Sequence, residues 1–171
     1  SEIGEGFLPE ICSDWEDASA NLPDEVRHVY LRSGIVLSGT GGALGKMLLP
    51  FKMGAGGPMG NGKQWMSWIS LDDEIYAIHH LLMETDSKGV YNLTAPNPVR
   101  QKGFAKTLGR VLRRPAFAPL PGFVIKILFG EMGVKLTLES QKVLPNRLLE
   151  EGYEFLHPDL ETALQDTLGL W

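Results

Sequence analysis

Residues Gly60–Asp73 read GNGKQWMSWISLDD, in which a glycine turn leads into an apolar segment and then into two acidic residues. The turn glycines permit the positive φ angles that a tight turn requires. The large apolar side chains of Trp65–Ile69 favour a short, partly buried strand. Asp72 or Asp73 can accept hydrogen bonds from the free backbone N–H groups at a helix start. The stretch therefore predicts a turn, a strand and a helix, in that order.

The helix after this stretch is predicted over Glu74–Met83. Ile75, Ile78 and Leu82 recur there at helical spacing, with Leu81 beside them, which indicates a helix. The rest of the first 114 residues alternates helices and strands, which favours an α/β fold built in layers. The patterns predict helices over Phe7–Ala20, Ala43–Met53 and Arg100–Arg114, and strands over Glu25–Leu37 and Val90–Leu93.

From Pro115 onwards the pattern changes to spaced prolines and short helical segments. We therefore expect a boundary there, with residues 1–114 forming the α/β part and residues 115–171 a small, mainly helical subdomain. Gly152 suits the end of a helix. The patterns predict short helices over Phe123–Phe129, Lys135–Val143, Asn146–Glu151 and Asp159–Leu168, and a short strand over Tyr153–Phe155.

Composition argues against several classes of function. The net charge of −5 argues against non-specific binding of nucleic acid. Cys12 is the only cysteine and the four histidines lack metal-ligand spacing, so neither a disulfide framework nor a metal site is expected. A single cysteine fits a reducing, cytoplasmic location. No apolar run is long enough to cross a bilayer, and the first residues lack the pattern of a secretory signal, so no membrane partner is expected.

A set of short motifs extends along almost the whole chain. They are Cys12-x-x-Trp15-Glu16, Arg32–Leu37 (RSGIVL), Gly41–Leu44 (GGAL), Met47–Lys52 (MLLPFK), the turn and strand of Gly60–Asp73, Tyr91–Val99 (YNLTAPNPV), Arg114-Pro115, Phe129–Met132 (FGEM) and Gln141–Pro145 (QKVLP). Together they resemble the atypical, epimerase-like branch of the extended short-chain dehydrogenase/reductase superfamily, the NAD-dependent epimerases and dehydratases. That branch ends in a C-terminal domain of unknown function.

The resemblance is to the C-terminal half of such proteins only. It implies that residues 1–114 are the C-terminal part of a Rossmann-like domain with substrate-side elements, and that residues 115–171 are the C-terminal domain of unknown function. It also implies a further partner, an N-terminal Rossmann half with the glycine-rich fingerprint and most of the contacts to NADP(H). The cofactor is therefore expected in the full-length protein.

The resemblance also implies cofactor contacts. In extended members of the superfamily, the loop after the strand that corresponds to Arg32–Leu37 approaches the nicotinamide and the substrate. Ser33, Gly34 and Val36 would then line that cleft. For Val36, a position in an ordinary core strand is an equally good interpretation.

Substrate contacts are implied at the opening motif. Gln64, Trp65 and Trp68 correspond to the region where epimerases place contacts to a sugar nucleotide, although large aromatic residues also serve packing. The arginine that commonly follows this turn and binds the diphosphate is absent, which weakens the assignment to a nucleotide sugar. The two tryptophans indicate a more apolar or aromatic small-molecule substrate, or simply a packed lid.

The catalytic residues are unknown. Classical members use Tyr-x-x-x-Lys on the helix that corresponds to Phe7–Ala20, and this chain has no such motif. If Glu16 aligns with the glutamate that often follows the lysine, Leu8 and Cys12 occupy the two catalytic positions.

Three functions are open. The first is the substrate-side half of an NADP-dependent, epimerase-like oxidoreductase of unknown substrate, which would be inactive as an isolated chain. The second is a non-catalytic dinucleotide-binding sensor or scaffold. The third is a structural homodimerisation unit that associates through apolar strands left exposed by a missing half.

Overall fold

The computed structural model describes residues 7–18, 23, 25–83, 86–117, 119–120, 123–127, 129–130 and 140–170. The helices are α1 (Phe7–Ala18), α2 (Gly42–Lys52), α3 (Leu71–Met83), α4 (Gln101–Val111), α5 (Asn146–Glu150) and α6 (Leu160–Leu168). The strands are β1 (Val29–Ser33), β2 (Ile35–Leu37), β3 (Trp65–Met66), β4 (Trp68–Ser70), β5 (Gly89–Leu93) and β6 (Val99–Arg100). None of the described helices is both long and apolar enough to cross a membrane.

The strands form three pairs. β1 pairs with β5 and β2 pairs with β4, both in parallel, whereas β3 pairs with β6 in antiparallel orientation. Parallel strands require crossover connections, and helices supply them here. The predicted α/β fold class is therefore confirmed, and β6 is a strand that the sequence patterns did not indicate.

Two predicted strands are each divided in the structure. The predicted strand over Glu25–Leu37 begins only at Val29 and breaks at Gly34, after which β2 takes a different partner. The Gly34 N–H donates to the carbonyl oxygen of Leu93 at 2.9 Å, and the next N–H donates to the carbonyl oxygen of Ser67 at 2.9 Å. The predicted strand over Trp65–Ile69 divides in the same way at Ser67. The chain thus passes from one parallel pair to the other at Gly34.

Helix α3 starts earlier than predicted and is capped by a different residue. Ser70 is the N-cap residue, because its Oγ accepts the N–H of Asp73 at 3.0 Å and donates to the Asp73 carboxylate at 2.8 Å. The expectation that Asp72 or Asp73 caps the helix is therefore wrong.

The apolar residues that indicated α3 lie on two of its faces. The exposed fractions of Ile75, Ile78 and Leu82 are 54%, 39% and 67%. Leu81 is buried, together with Asp73 and Ala77. Leu71 and the three exposed residues follow one another at intervals of four, three and four, so α3 has a second apolar stripe on its open side.

The remaining long helices agree with the predictions. α1, α2, α4 and α6 lie within the ranges predicted for them, apart from shifts of one to three residues at the ends. Residues 19 and 20 of the first predicted helix lie outside the described residues. Pro50 is accommodated inside α2 and is buried, and α4 buries the apolar residues Phe104, Ala105 and Leu108.

Two apolar clusters form the core, and both include residues from either side of the predicted boundary after residue 114. Leu160, Ala163 and Leu164 of α6 pack in the larger cluster, while Leu148 and Tyr153 pack in the smaller one. The described residues after 114 therefore share a core with those before it.

The C-terminal region matches the predictions unevenly. A helical segment covers residues 123–127, α5 is found as predicted, and Gly152 has a φ of 81° just after α5. The predicted strand over Tyr153–Phe155 is not formed. The predicted helix over Lys135–Val143 falls mostly outside the described residues, and its last part, residues 140–143, is not helical.

Candidate functional site

The candidate site lies where the carboxyl ends of β1 and β5 meet. Because these strands are parallel and in register, Ser33 and Leu93 end them side by side. In open α/β sheets, ligands bind outside the carboxyl ends of the strands. A β-carbon at Gly34 would lie 2.8 Å from the carbonyl oxygen of Ser67 and 2.9 Å from Cγ2 of Thr94. Only glycine allows these segments to approach so closely.

Ser33, the first predicted cofactor contact, is exposed at this edge. Its Oγ donates to Oε1 of Glu74, on the first turn of α3, at 2.6 Å. Burial raises the pKa of the Glu74 carboxyl, while the hydrogen bond from Ser33 acts in the opposite direction. The second oxygen, Oε2, is buried without a hydrogen-bond partner among the residues that the structure describes. Sequence reasoning missed Glu74, because nothing in its spacing distinguishes it from an ordinary solvated residue at a helix start.

Gly34 and Val36, the other two predicted cofactor contacts, occupy different environments. Gly34 is at the strand switch, where its backbone is half-buried between Ser67 and Thr94. Val36 is half-buried and packs against the smaller apolar cluster. The structure therefore places Ser33 and Gly34 together at the sheet edge and Val36 behind them.

Gln64 and Trp68, predicted as substrate contacts, lie inside the molecule. The amide nitrogen of Gln64 donates to the carbonyl oxygen of Met59 at 3.0 Å, while the N–H of Met59 donates to Gln101 Oε1 at 2.8 Å. Trp68 is 0% exposed, and its indole N–H donates to the carbonyl oxygen of Asn97 at 3.1 Å. Gln64 therefore holds the glycine turn, and Trp68 belongs to the core rather than to an open cleft.

Trp65 is the predicted substrate contact that remains accessible. The residue is half-buried, and two cations lie over its ring: the Arg100 guanidinium carbon at 4.0 Å and the Lys142 ammonium nitrogen at 4.8 Å from a ring centroid. Both distances suit cation–π attraction. The backbone N–H of Trp65 donates to Ser140 Oγ at 3.0 Å, so the segment from residue 140 runs beside β3.

Ser67 connects this aromatic region to the strand switch. Its carbonyl oxygen accepts the N–H of Ile35, and its Oγ accepts the N–H of Val143 at 2.8 Å and donates to the carbonyl oxygen of Gln141 at 2.9 Å. Thr94 Oγ1 also donates to the carbonyl oxygen of Val143, at 3.4 Å. The segment containing Lys142 is therefore attached at the strand switch, next to the carboxyl edge of the sheet.

A second cleft, of about 310 Å³, opens beyond the carboxyl ends of β2 and β4. Its lining includes the loop of residues 38–40, Asp72 and Asp166. His157 Nε2 lies 3.3 Å from Asp166 Oδ2, and ligand atoms of these two residues and Asp72 lie within 4.8 Å of one another. Sequence spacing did not indicate this grouping. An exposed aspartate next to a histidine–aspartate pair is common without a metal, so the group defines no metal site.

Comparisons with known proteins agree with this architecture. Residues 120–167 match the family model described as "Domain of unknown function (DUF1731)". The chain is 45% identical to the "Epimerase family protein SDR39U1 homolog, chloroplastic" of Arabidopsis thaliana, over 96% of this chain and 47% of that protein. It is 44% identical to the human epimerase family protein SDR39U1, over 95% of this chain and 56% of that protein. The chain thus spans about half the length of the curated relatives it matches.

Solved structures give the same result. The crystal structure of human SDR39U1 (isoform 2) with NADPH aligns with a TM-score of 0.89 at 40% identity, covering 96% of this chain and 56% of that one. A nucleoside-diphosphate sugar epimerase from Corynebacterium glutamicum aligns with a TM-score of 0.75 at 30% identity, over 99% of this chain and 32% of that one.

The fold is Rossmann-like and of the epimerase type, and the predicted resemblance to the epimerase-like branch of the short-chain dehydrogenase/reductase superfamily is confirmed. More particularly, the chain resembles the C-terminal half of the epimerase family proteins named SDR39U1.

Proposed function

We propose that this chain is the substrate-side half of an NADPH-dependent, epimerase-like oxidoreductase acting on a small molecule. The supporting observation is its similarity, over nearly its whole length, to a protein whose structure was solved with NADPH. The catalytic residues and the substrate are left open by this proposal. We also propose a reducing location for the protein, such as the cytoplasm. The Arabidopsis relative has the word chloroplastic in its name.

An N-terminal Rossmann half is the partner that this proposal requires. Among the described residues, β1 pairs with β5 on one side only, and Leu31 of β1 is an exposed apolar residue. Parallel sheets are normally covered on both faces. The second apolar stripe of α3 is also open. We propose that the N-terminal half continues the sheet from β1 and covers this stripe.

The cofactor is assigned to the edge formed by Ser33 and Gly34. The residues fit such a group, because Ser33 offers an exposed hydroxyl and the absence of a side chain at Gly34 allows close approach of the backbone. NADPH would supply the hydride. Ser33 would hold the nicotinamide end by hydrogen bonding, Glu74 would orient the Ser33 hydroxyl, and Trp65 would face the substrate.

Energy transfer from the tryptophans to NADPH tests this proposal. It is measured in the 171-residue chain and in a longer chain that includes the N-terminal half. We expect saturable transfer in the longer chain and little in the shorter one. Ser33→Ala should weaken NADPH binding several-fold, whereas Thr40→Ala, an exposed control in the second cleft, should leave it unchanged. Absence of transfer in the longer chain would overturn the proposal.

The alternative is a dinucleotide-binding sensor or scaffold without turnover. The observation in its favour is the absence of Tyr-x-x-x-Lys from the sequence. Retained NADPH binding without NADPH oxidation, across aldehydes, ketones and nucleotide sugars, would favour this alternative over the enzyme.

A further inference from the structure

Glu74 places a carboxyl group at the sheet edge to which the cofactor is assigned. It lies in the first turn of α3, and the exposed Ser33 hydroxyl donates to its Oε1 at 2.6 Å. Its other oxygen, Oε2, is buried and has no hydrogen-bond partner in the part of the chain that the structure describes. Burying an ionised carboxylate is costly unless donors or a cation surround it. A single donor on one oxygen therefore leaves the negative charge of Glu74 poorly compensated.

The nearby cation on β1 does not supply the missing charge. Arg32 precedes Ser33 on this strand, but its guanidinium pairs with Glu16 of α1 at 2.7 Å. None of the ion pairs between described residues includes Glu74. The carboxyl thus has a hydroxyl partner and no positive one.

The other titratable groups around Glu74 do not supply it either. Asp73, its neighbour on α3, is itself acidic. Burial, and then the negative charges of Asp73 and Glu74, raise the pKa of the Tyr153 hydroxyl, which stays neutral. His157 donates its backbone N–H to Asp73, but its ring lies beside Asp166 at 3.3 Å. β2 and β4, which also pack against α3, contain no titratable side chain. Burial accordingly raises the pKa of Glu74.

We propose that Glu74 couples proton binding to the oxidation state of the cofactor, holding a proton beside NADPH and releasing it beside NADP⁺. The inference rests on the proposed function, because it takes the nicotinamide ring to lie at Ser33 and Gly34. The oxidised ring has a positive charge that the reduced ring lacks. That charge is the counter-ion that the Glu74 carboxylate lacks within its own chain.

This coupling gives the site a source of protons although the sequence has no Tyr-x-x-x-Lys motif. When NADPH reduces a carbonyl group, the carbon receives a hydride and the oxygen receives a proton. Ser33 would give its hydroxyl proton to that oxygen and take the Glu74 proton in its place, which leaves Glu74 ionised. Glu74 would then regain a proton from solvent when NADPH replaces NADP⁺. Because it acts through Ser33, Glu74 is a positioning residue in this scheme.

The pH dependence of cofactor binding tests the coupling without a substrate. In the longer chain that includes the N-terminal half, energy transfer from the tryptophans gives the Kd of NADPH, and displacement of NADPH gives that of NADP⁺. Both are measured between about pH 6 and pH 8.5. An ionised Glu74 favours the positively charged ring, so the ratio of the NADP⁺ Kd to the NADPH Kd should fall about five- to tenfold as pH rises. The 2′-phosphate is common to both forms, so its own titration cancels in the ratio.

Three variants assign this fall to Glu74. Glu74→Gln should make the ratio independent of pH. Glu154→Gln, the same change at an exposed glutamate, should leave the fall unchanged. Ser33→Ala removes the hydrogen bond that favours the ionised carboxyl, so the fall should move to higher pH. Circular dichroism establishes that each variant is folded.

The outcomes separate this coupling from the proposed function. A parent ratio that stays constant with pH, or a fall that persists in Glu74→Gln, would overturn the coupling. NADPH binding would remain in either case, and the proposed function with it. Failure of the longer chain to bind both NADPH and NADP⁺ would overturn the coupling and the proposed function together.

Discussion

Asp73 is a fully buried carboxylate that joins α3 to the region before α6. Its side chain accepts hydrogen bonds from the backbone N–H groups of Leu156 and His157, at 2.8 and 3.0 Å, as well as from Ser70 and Tyr153 hydroxyls. Burial, followed by the negative charge of Asp73, raises the pKa of the Tyr153 hydroxyl, which therefore stays a donor. The Asp72-Asp73 pair was visible in the sequence, but partners more than 80 residues away were not.

Asp73→Asn should therefore destabilise the chain strongly. The amide keeps one acceptor oxygen but directs its N–H₂ at groups that are themselves donors, at a cost of about 2–4 kcal/mol. Asp72→Asn is the matched control, because Asp72 is exposed and should cost only about 0.5 kcal/mol through the helix dipole. Urea unfolding followed by circular dichroism measures both. Values within 0.5 kcal/mol of each other would contradict this role of Asp73.

Replacing the Glu74 carboxyl should stabilise the chain, whereas replacing that of Asp73 should destabilise it, and the effect at Glu74 should depend on pH. Because burial raises its pKa, the folded chain binds this proton more tightly than the unfolded chain does. The contribution of Glu74 to stability is therefore largest at low pH and falls as pH rises through the raised pKa.

Glu74→Gln removes the loss of stability at higher pH, because the amide has no proton to release in this range. We expect the variant to unfold at higher urea concentration than the parent at pH 7, and the two midpoints to converge below about pH 4, where the ordinary glutamate is protonated. Glu154→Gln, at an exposed glutamate, provides the same charge change. If the Glu74→Gln advantage is constant between pH 4 and pH 8, the burial of this carboxyl has no part in it.

At the scale of the elements, helix α4 contains two glycines in opposite environments. A β-carbon at Gly103 would meet nothing within 4 Å, whereas one at Gly109 would lie 2.5 Å from the Ala116 β-carbon and 2.9 Å from the Arg114 carbonyl oxygen. Gly109 lets the chain after α4 turn back against the helix. Sequence reasoning predicted the helix correctly but could not distinguish the two positions, because the difference arises from a segment that follows the helix.

The same substitution at these two glycines should have effects of opposite sign. Gly103→Ala should stabilise the chain by about 0.5–1 kcal/mol through helix propensity. Gly109→Ala should destabilise it by about 1–3 kcal/mol through overpacking. Each variant serves as the control for the other in thermal unfolding. A stabilising effect of Gly109→Ala would show that the Arg114–Ala116 segment moves away at little cost.

For the whole molecule, sequence patterns identified most of the helices and strands in order but not the pairing of the strands. The helical periodicity of α2, α4 and α6 is local, so it was readable. The divisions at Gly34 and Ser67 depend on which strand lies alongside, and that is a tertiary property. The apolar pattern of α3 indicated a helix but not its buried face, because this helix has two apolar stripes and only one is covered. Arg100 and Lys142 were visible individually, but their meeting at Trp65 depended on the β3–β6 pair and on the contact of residues 140–143 with β3.

The uncovered stripe of α3 and the open side of β1 predict that the 171-residue chain associates with itself when alone. Exposed apolar side chains on a helix and an edge strand favour association. Leu31→Arg together with Ile78→Arg should shift sedimentation velocity profiles towards the monomer, because both open surfaces then hold a charge. Leu49→Arg, at a more exposed apolar position on α2, should leave the profile of the parent unchanged.

An N-terminal half in the same chain should prevent the self-association that we expect of the 171-residue chain alone. If it covers the same surfaces, its presence in a longer chain should abolish self-association, and it should slow hydrogen exchange across β1 and α3. The N-terminal half would extend the sheet from the edge of β1 that faces away from β5, so β5 amides should change less than those of β1. Equal protection of both strands, or protection confined to the second cleft, would mean that the N-terminal half docks elsewhere.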